Sequence, residues 1–247
     1  VDEAAERASV VVVSIFVNPT QFGAGEDFEK YPRDLDSDAA LLKPRGADLL
    51  FTPTVADMYP SSTATTVSVK RMTEGLCGAH RPGHFDGVAT VVAKLLNIVG
   101  PCTAVFGKKD YQQLQVIRRL VLDLNFPVQV IGVPTVREAD GLAMSSRNAY
   151  LCDDERTRAR CIPQALAAAH ALAKDPGTKL PQIREQIHRI IRGKTDSVDY
   201  VEIADPITLE PLELEAVPAK FLVAVAARLG TTRLIDNTVV GEDSPPM

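Results

Sequence analysis

The sequence predicts an α/β protein: an open parallel-sheet domain over residues 1–134, then a smaller α+β domain with an antiparallel sheet over residues 135–247. Three observations predict it. The β-branched run Val10-Val11-Val12-Val13-Ser14-Ile15-Phe16 suits a strand covered on both faces, as in parallel sheets. Strand-like runs then alternate with helical spacing as far as Val133, the mark of parallel α/β architecture. After Pro134 two helical stretches precede three strand-like runs separated by turn residues, which fits a small antiparallel sheet with helices beside it.

In chain order, residues 2–8 read as the last turns of a helix, and residues 10–16 as a strand ended by Asn18-Pro19. A polar, glycine-bearing loop covers residues 21–32. Residues 34–42 have helical spacing, closed by Pro44 and Gly46. Residues 48–52 read as a short strand and residues 65–69 as an alternating, half-exposed one. A helix with a broad apolar face follows over residues 88–99, stopped by Gly100-Pro101. Residues 104–106 are a buried strand, and Asp110 is placed to cap a helix reaching about Leu124. Residues 128–133 form the next strand. One helix is predicted over residues 153–174 and another over 181–192, with Pro181 in a tolerated first-turn position. Residues 198–203, 221–226 and 233–236 read as strands, and the tail from Gly241 to Met247 as disordered.

Bulk properties narrow the function. The chain has 247 residues, 45% apolar and 24% charged, with a formal net charge of -5, so it reads as a globular protein without the basic surface of a nucleic-acid binder. The four cysteines, Cys77, Cys102, Cys152 and Cys161, show neither Cys-x-x-Cys nor zinc spacing and read as reduced thiols of a cytoplasmic protein. The longest apolar run, residues 10–17, is too short to span a membrane, and no signal peptide is visible.

Three segments carry chemistry. Phe106-Gly107-Lys108-Lys109-Asp110-Tyr111-Gln112-Gln113 places a glycine, two cations and a capping carboxylate between a strand and a helix, where α/β sheets bind ligands and a helix N-terminus favours phosphate. A surface turn with two solvated lysines explains it equally well. Met144-Ser145-Ser146-Arg147, after Asp140-Gly141, offers two hydroxyls and a guanidinium fork to phosphate oxygens, although a helix cap and turn use the same residues. Gln21, just past the first strand, can donate to a carboxylate or hydroxyl; taken alone it reads as a loop residue. His80 and His84 are separated by Pro82 and Gly83 and cannot share a regular helix face as zinc-binding histidines do. Asp34, Asp36 and Asp38 read as an acidic helix start before they read as magnesium contacts.

Together, Phe16-Val17-Asn18-Pro19-Thr20-Gln21-Phe22, Tyr31-Pro32-Arg33, Arg81-Pro82-Gly83-His84-Phe85, residues 106–113, residues 141–148 and residues 229–237 resemble the pantothenate synthetase (pantoate–β-alanine ligase) family in order and spacing. The resemblance covers all but the tail. It implies a Rossmann-like first domain of the nucleotidyltransferase superfamily type and a homodimeric cytosolic ligase. Such an enzyme joins pantoate to β-alanine with ATP and Mg²⁺ through a pantoyl-adenylate. By the same resemblance, Gln21 and Gln113 bind pantoate. Gly107, Lys108, Lys109, Asp110, Val136, Met144, Ser145, Ser146 and Arg147 bind ATP. Lys109 and Arg147 stabilise charge in the transition state, and the loop over residues 23–33 gates the site.

Two departures stand out. Position 108 is Lys where the family usually has Glu, which is expected to add positive charge beside the phosphates. The family also opens with a strand and a His-x-Gly-His signature, and the sequence begins with Val1 beyond that point. Residues 1–247 alone are therefore expected to catalyse poorly, and to fold weakly with two strand edges left facing each other. The alternatives are a nucleotidyltransferase of the same superfamily, which would not need Gln21 and Gln113 paired for pantoate, and a non-catalytic remnant.

Overall fold

The computed structural model describes residues 1–23 and 25–246. Ala24, in the predicted gate loop, and Met247, in the predicted tail, lie outside the described residues. In chain order the elements are α1 (Asp2–Ala5), β1 (Val12–Ser14), α2 (Leu35–Leu42), β2 (Leu49–Phe51), α3 (Val55–Met58), α4 (Leu76–His80), α5 (His84–Val99), β3 (Cys102–Gly107), α6 (Tyr111–Asp123), β4 (Val128–Val133), α7 (Asp153–Ala159), α8 (Cys161–Leu172), α9 (Leu180–Ile191), β5 (Ser197–Ala204), β6 (Phe221–Leu229) and β7 (Thr232–Val240). Two compact units emerge. The first comprises Val1–Thr73, Arg81–Phe106 and Val116–Val133; the second comprises Glu74–His80, Gly107–Gln115 and Pro134–Met247.

In the first unit β1 pairs in parallel with β2, with Val12 opposite Leu49 and Ser14 opposite Phe51. β3 and β4 form a second two-stranded sheet. The prediction of a first strand covered on both faces is corrected. Val10 is 57% and Val12 41% exposed while Val11 between them is 5% exposed, so successive side chains alternate between an open and a covered face. Helix α2 starts where the sequence indicated: the Asp34 carboxylate accepts from Ser37 N at 3.0 Å, which supplies one of the helix's orphan N–H groups with a partner. Helix α5 buries Phe85, Val88, Ala89, Val92 and Leu96 and stops at Gly100, whose φ of 80° a side-chain-bearing residue adopts only with strain. The predicted strand over residues 65–69 does not form. That segment has no regular secondary structure, and Val67 N donates to the Thr90 hydroxyl on α5 at 2.9 Å rather than to another strand.

The second unit is built on an antiparallel sheet of order β5-β6-β7. Its central strand β6 is buried along nearly its whole length, and α8 and α9 pack together beside the sheet. Helix α9 turns Leu180, Ile183, Ile187 and Ile191 inward at near-helical spacing, against a core that includes Ile162, Leu166, Phe221, Val223 and Val225. Each fully buried isoleucine stabilises this unit by about 1.5–3 kcal/mol; Ile187→Ala would leave a cavity costing about 2–5 kcal/mol.

The single helix predicted over residues 153–174 is two, α7 and α8, with Arg160 between them. Pro163 has no N–H to give the carbonyl of Ala159, so the hydrogen-bond ladder breaks at that point. The tail also departs from expectation at its start. Glu242 and Asp243 both donate their backbone N–H groups to Val239 O and place their carboxylates on Lys108.

Candidate functional site

The predicted site residues are distributed over both units: Gln21 belongs to the first, and Gly107–Asp110, Gln113, Val136 and Met144–Arg147 belong to the second.

In the first unit Gln21 ends a 3₁₀ turn, Pro19–Gln21, set by Asn18. Buried Asn18 donates to Gly87 O at 3.1 Å and to Gln21 Oε1 at 3.3 Å, while its own side-chain oxygen accepts from the Thr20 and Tyr59 hydroxyls, each at 2.9 Å. Gly87 makes this turn fit. A Cβ there would stand 2.7 Å from Gln21 N and closer still to the Thr20 carbonyl. His84 Nδ1 lies 2.8 Å from Gln21 O, and Arg81 Nη2 donates to the same oxygen at 3.3 Å. These contacts fix the main chain of Gln21, and the Asn18 amide holds its side-chain oxygen.

Arg81 also grips Glu26 with two bonds, of 2.7 and 2.6 Å. Burial pushes the Glu26 carboxyl up, but the hydrogen bonds and charge of Arg81 outweigh it and hold the group below its ordinary value. The segment beyond Gln21 is further pinned by edge-on contacts of Phe22 with Phe28 and Tyr31, and by Arg33 stacked over Phe28 while donating to its carbonyl. The expected gate loop is thus clasped at Glu26 and at an aromatic cluster.

In the second unit, Lys108–Asp110 form a 3₁₀ turn that runs directly into α6. Lys109 Nζ lies 3.8 Å from the Asp110 carboxylate, with the ammonium side chain 22% exposed. A Cβ at Gly107 would meet nothing within 4 Å, so the backbone ahead of the turn has an open side. Lys108 points elsewhere. Its ammonium is 2.8 Å from both Glu242 Oε1 and Asp243 Oδ1, and although burial alone would lower its pKa, these two acids raise it. The positive charge expected at position 108 is present, and the two carboxylates of the tail pair with it. Gln113 sits half-buried on the first turn of α6.

Val136 and Met144 face each other across a tight turn, where Met144 N donates to Val136 O at 2.9 Å beside an antiparallel bridge between Arg137 and Ala143. Val136 is 63% and Met144 57% exposed, an apolar pair outside any core. Ser145 then caps the 3₁₀ turn Ser146–Tyr150 by accepting from Arg147 N. Buried Asn148 donates to Ala143 O at 3.1 Å and to Glu138, holding this turn against the residues around the Arg137–Ala143 bridge.

Residues distant in sequence support these turns. Arg137 makes a two-pronged bond to Asp236, at 2.7 and 3.0 Å, and also donates to Gly141 O. Burial pushes the Asp236 carboxyl up against the pull of Arg137. Asn237 donates to the carbonyls of Lys108 and Lys109. Both belong to the segment 229–237, which the sequence singled out without a function.

The four cysteines are free; burial pushes the Cys161 thiol up to about 11, far from a reactive thiolate. Among the described residues, no three of His, Cys, Asp and Glu cluster so as to hold a metal, and no helix is long and apolar enough to cross a membrane.

Comparison with known proteins adds to this geometry. Residues 1–239 match the family model described as pantoate-beta-alanine ligase. The pantothenate synthetase of Geobacter sulfurreducens is 54% identical over 242 residues, which are 98% of this chain and 85% of that protein. That of Heliobacterium modesticaldum is 54% identical over 238 residues, covering 96% and 84%. The crystal structure of the Thermus thermophilus pantothenate synthetase superposes with a TM-score of 0.92 at 48% identity, over 96% of this chain and 86% of that one. A pantoate-beta-alanine ligase from Francisella tularensis, complexed with beta-gamma ATP and beta-alanine, superposes with a TM-score of 0.75 at 33% identity, over 98% and 84%. With a match running from the first residue into the last strand of the second unit, and a fold that agrees with it, this chain belongs to the pantoate–β-alanine ligase family.

Proposed function

We propose that this chain condenses pantoate with β-alanine at the expense of ATP. The observation that carries the reading is the family match over residues 1–239. The Lys109 turn at the start of α6 suits such a reaction, because phosphate is favoured at a helix N-terminus.

The reaction runs in two steps. A carboxylate oxygen of pantoate attacks the α-phosphorus of ATP, the bond to the β-phosphate oxygen breaks, and pyrophosphate leaves. The β-alanine amine then attacks the acyl carbon of the adenylate, AMP departs, and the amine gives up a proton. Since the attacking carboxylate is already a nucleophile, the protein needs no activated serine or cysteine. It has to screen charge and align the reacting atoms.

Gln21 and Gln113 hold pantoate in this reading. Lys109 and Arg147 stabilise charge on the phosphorus, and Ser145 and Ser146 bond phosphate oxygens. Gly107, Lys108 and Asp110 shape the turn, Lys108 through its main chain because its ammonium is engaged by the tail. Val136 and Met144, exposed and apolar, form a surface on which an adenine ring can lie. The loop around Glu26 excludes water from the adenylate. Mg²⁺ would accompany the triphosphate and neutralise part of its charge. In this reading residues 1–134 form an ATP- and pantoate-binding domain and residues 135–247 a smaller α+β domain. A cytoplasmic homodimer completes the proposal.

Labelled pyrophosphate should exchange into ATP when pantoate is present and β-alanine is absent. Exchange that required β-alanine would rule out the two-step route, and exchange that failed with pantoate but ran with a phosphorylated acceptor would favour a nucleotidyltransferase.

A further inference from the structure

We infer that Asn237 is a positioning residue for the nucleotide turn, acting through the backbone of Lys109; the inference rests on the reading of Lys109 as the phosphate-binding cation. The Lys108–Asp110 turn is three residues of 3₁₀ helix between a strand and a helix, a geometry with poorer hydrogen bonds than the α-helix. A carbonyl oxygen has two lone pairs, so beyond any bond to the helix that follows it can accept a second. Asn237 uses two such places: its single amide nitrogen donates to Lys108 O at 3.0 Å and to Lys109 O at 2.6 Å. Asn237 is only 7% exposed, so these bonds are made away from competing water. An amide has two N–H donors, which is the number this arrangement uses. With both carbonyls drawn toward β7, the orientation of the peptide units at positions 108 and 109 is set, and with it the direction in which the Lys109 side chain leaves the backbone.

The neighbouring residue extends the argument. Asp236, on the same strand, is the carboxylate that Arg137 grips, and Arg137 in turn donates to Gly141 O just ahead of Met144–Arg147. β7 packs against both 3₁₀ turns, Lys108–Asp110 and Ser146–Tyr150. Two adjacent residues of one rigid strand therefore tie down the two turns that carry Lys109 and Arg147. A site that stabilises charge on phosphorus depends on such fixed spacing, since a displacement of about 1 Å can cost on the order of a hundredfold in rate.

The test is a double-mutant cycle on pyrophosphate exchange, with Asn237→Ala, Lys109→Ala and the pair. The single Asn237→Ala change should lower the exchange rate about tenfold and raise the KM for ATP, leaving the KM for pantoate within about twofold. Added to Lys109→Ala, it should change the rate by less than about twofold, because there is no longer a cation to aim. Equal losses in both backgrounds, or a pantoate KM that rises as much as that for ATP, would mean that Asn237 merely stabilises the fold and would overturn the inference. If Lys109→Ala itself left the rate near that of the parent, the reading of Lys109 would fall instead. Thermal melts accompany each variant. Should Asn237→Ala not fold, Asn237→Ser retains one donor and is expected to give an intermediate loss; a rate equal to that of the parent would overturn the inference.

Discussion

Lys108 Nζ lies 2.8 Å from Asp243 Oδ1 and at the same distance from Glu242 Oε1, joining the turn ahead of α6 to the residues just past β7. The Lys108 side chain is only 13% exposed. This pairing turns a lysine whose position in the sequence assigns it to phosphate into one that anchors the tail. Lys108→Met should accordingly cost about 1–2 kcal/mol of folding stability, since two neighbouring carboxylates lose their shared cation, and should leave the affinity for an ATP analogue within about threefold. Melting and calorimetry separate the two effects. A tenfold loss of affinity with an unchanged melt would return Lys108 to the phosphates.

Lys109 should behave in the opposite way. Among the described residues its ammonium lies 3.8 Å from Asp110 and exerts a longer-range pull on the buried Asp236 carboxylate, so its removal breaks no close ion pair that holds the fold. Loss of a cation from a phosphate site raises the barrier by roughly 3 kcal/mol, about a hundredfold in rate. Adenylate formation by Lys109→Ala should therefore fall about a hundredfold with a melt close to that of the parent. A rate within about threefold would make Lys109 a surface residue.

The turn that presents Gln21 can be probed without touching it. In Gly87→Ala the new methyl group would press on the backbone at Thr20 and Gln21, with neither able to move cheaply. Asn18 would be disturbed too, because it bonds to Gly87 O. The expected result is a loss of about 1–3 kcal/mol in stability and a raised KM for pantoate, with the affinity for an ATP analogue near normal. A variant that kept normal pantoate KM would show that the position of the Gln21 turn does not matter for this substrate.

Much of this was legible in the residues, and the exceptions share a cause. Helix α9 was visible because Pro181 marks its first turn and its apolar residues recur at helical spacing. Strand β6 was visible from its apolar, β-branched composition. Residues 65–69 were misread because alternation does not by itself supply a pairing strand, and Val67 found its partner in the Thr90 hydroxyl. The break between α7 and α8 was in principle legible from Pro163, but a charged helix start before it and an alanine-rich run after it read as one continuous helix. The site divides in the same way. Lys109, Ser145 and Arg147 stand in short motifs. Lys108 with Glu242, and Asn237 with Lys109, are separated by more than 120 residues, and no local pattern records such a pairing.

His170 gives the protein a specific sensitivity to acid. It is buried on α8, with Nε2 2.8 Å from the Thr238 hydroxyl of β7. Burial lowers its pKa, Lys174 lowers it further, and Asp243 opposes them without prevailing. The sign follows from linkage. In the unfolded chain this imidazole takes up a proton near its ordinary value of about 6.5; in the folded protein it resists until a lower pH. Between those two values the unfolded state holds the extra proton, so stability falls as pH drops below about 6.5 and levels off only below the folded value. Above about 6.5 both states are neutral at this position and His170 contributes no pH dependence. One proton sets the limit of the slope, about 1.4 kcal/mol per pH unit. His170→Gln, which can still bond to Thr238 but does not titrate, should flatten the decline of stability between about pH 5 and 6.5 relative to the parent. The comparison cancels the contributions of the other three histidines. Denaturant melts across that range provide the measurement, and identical slopes for parent and variant would show that His170 takes up its proton as readily in the folded protein as in the unfolded chain.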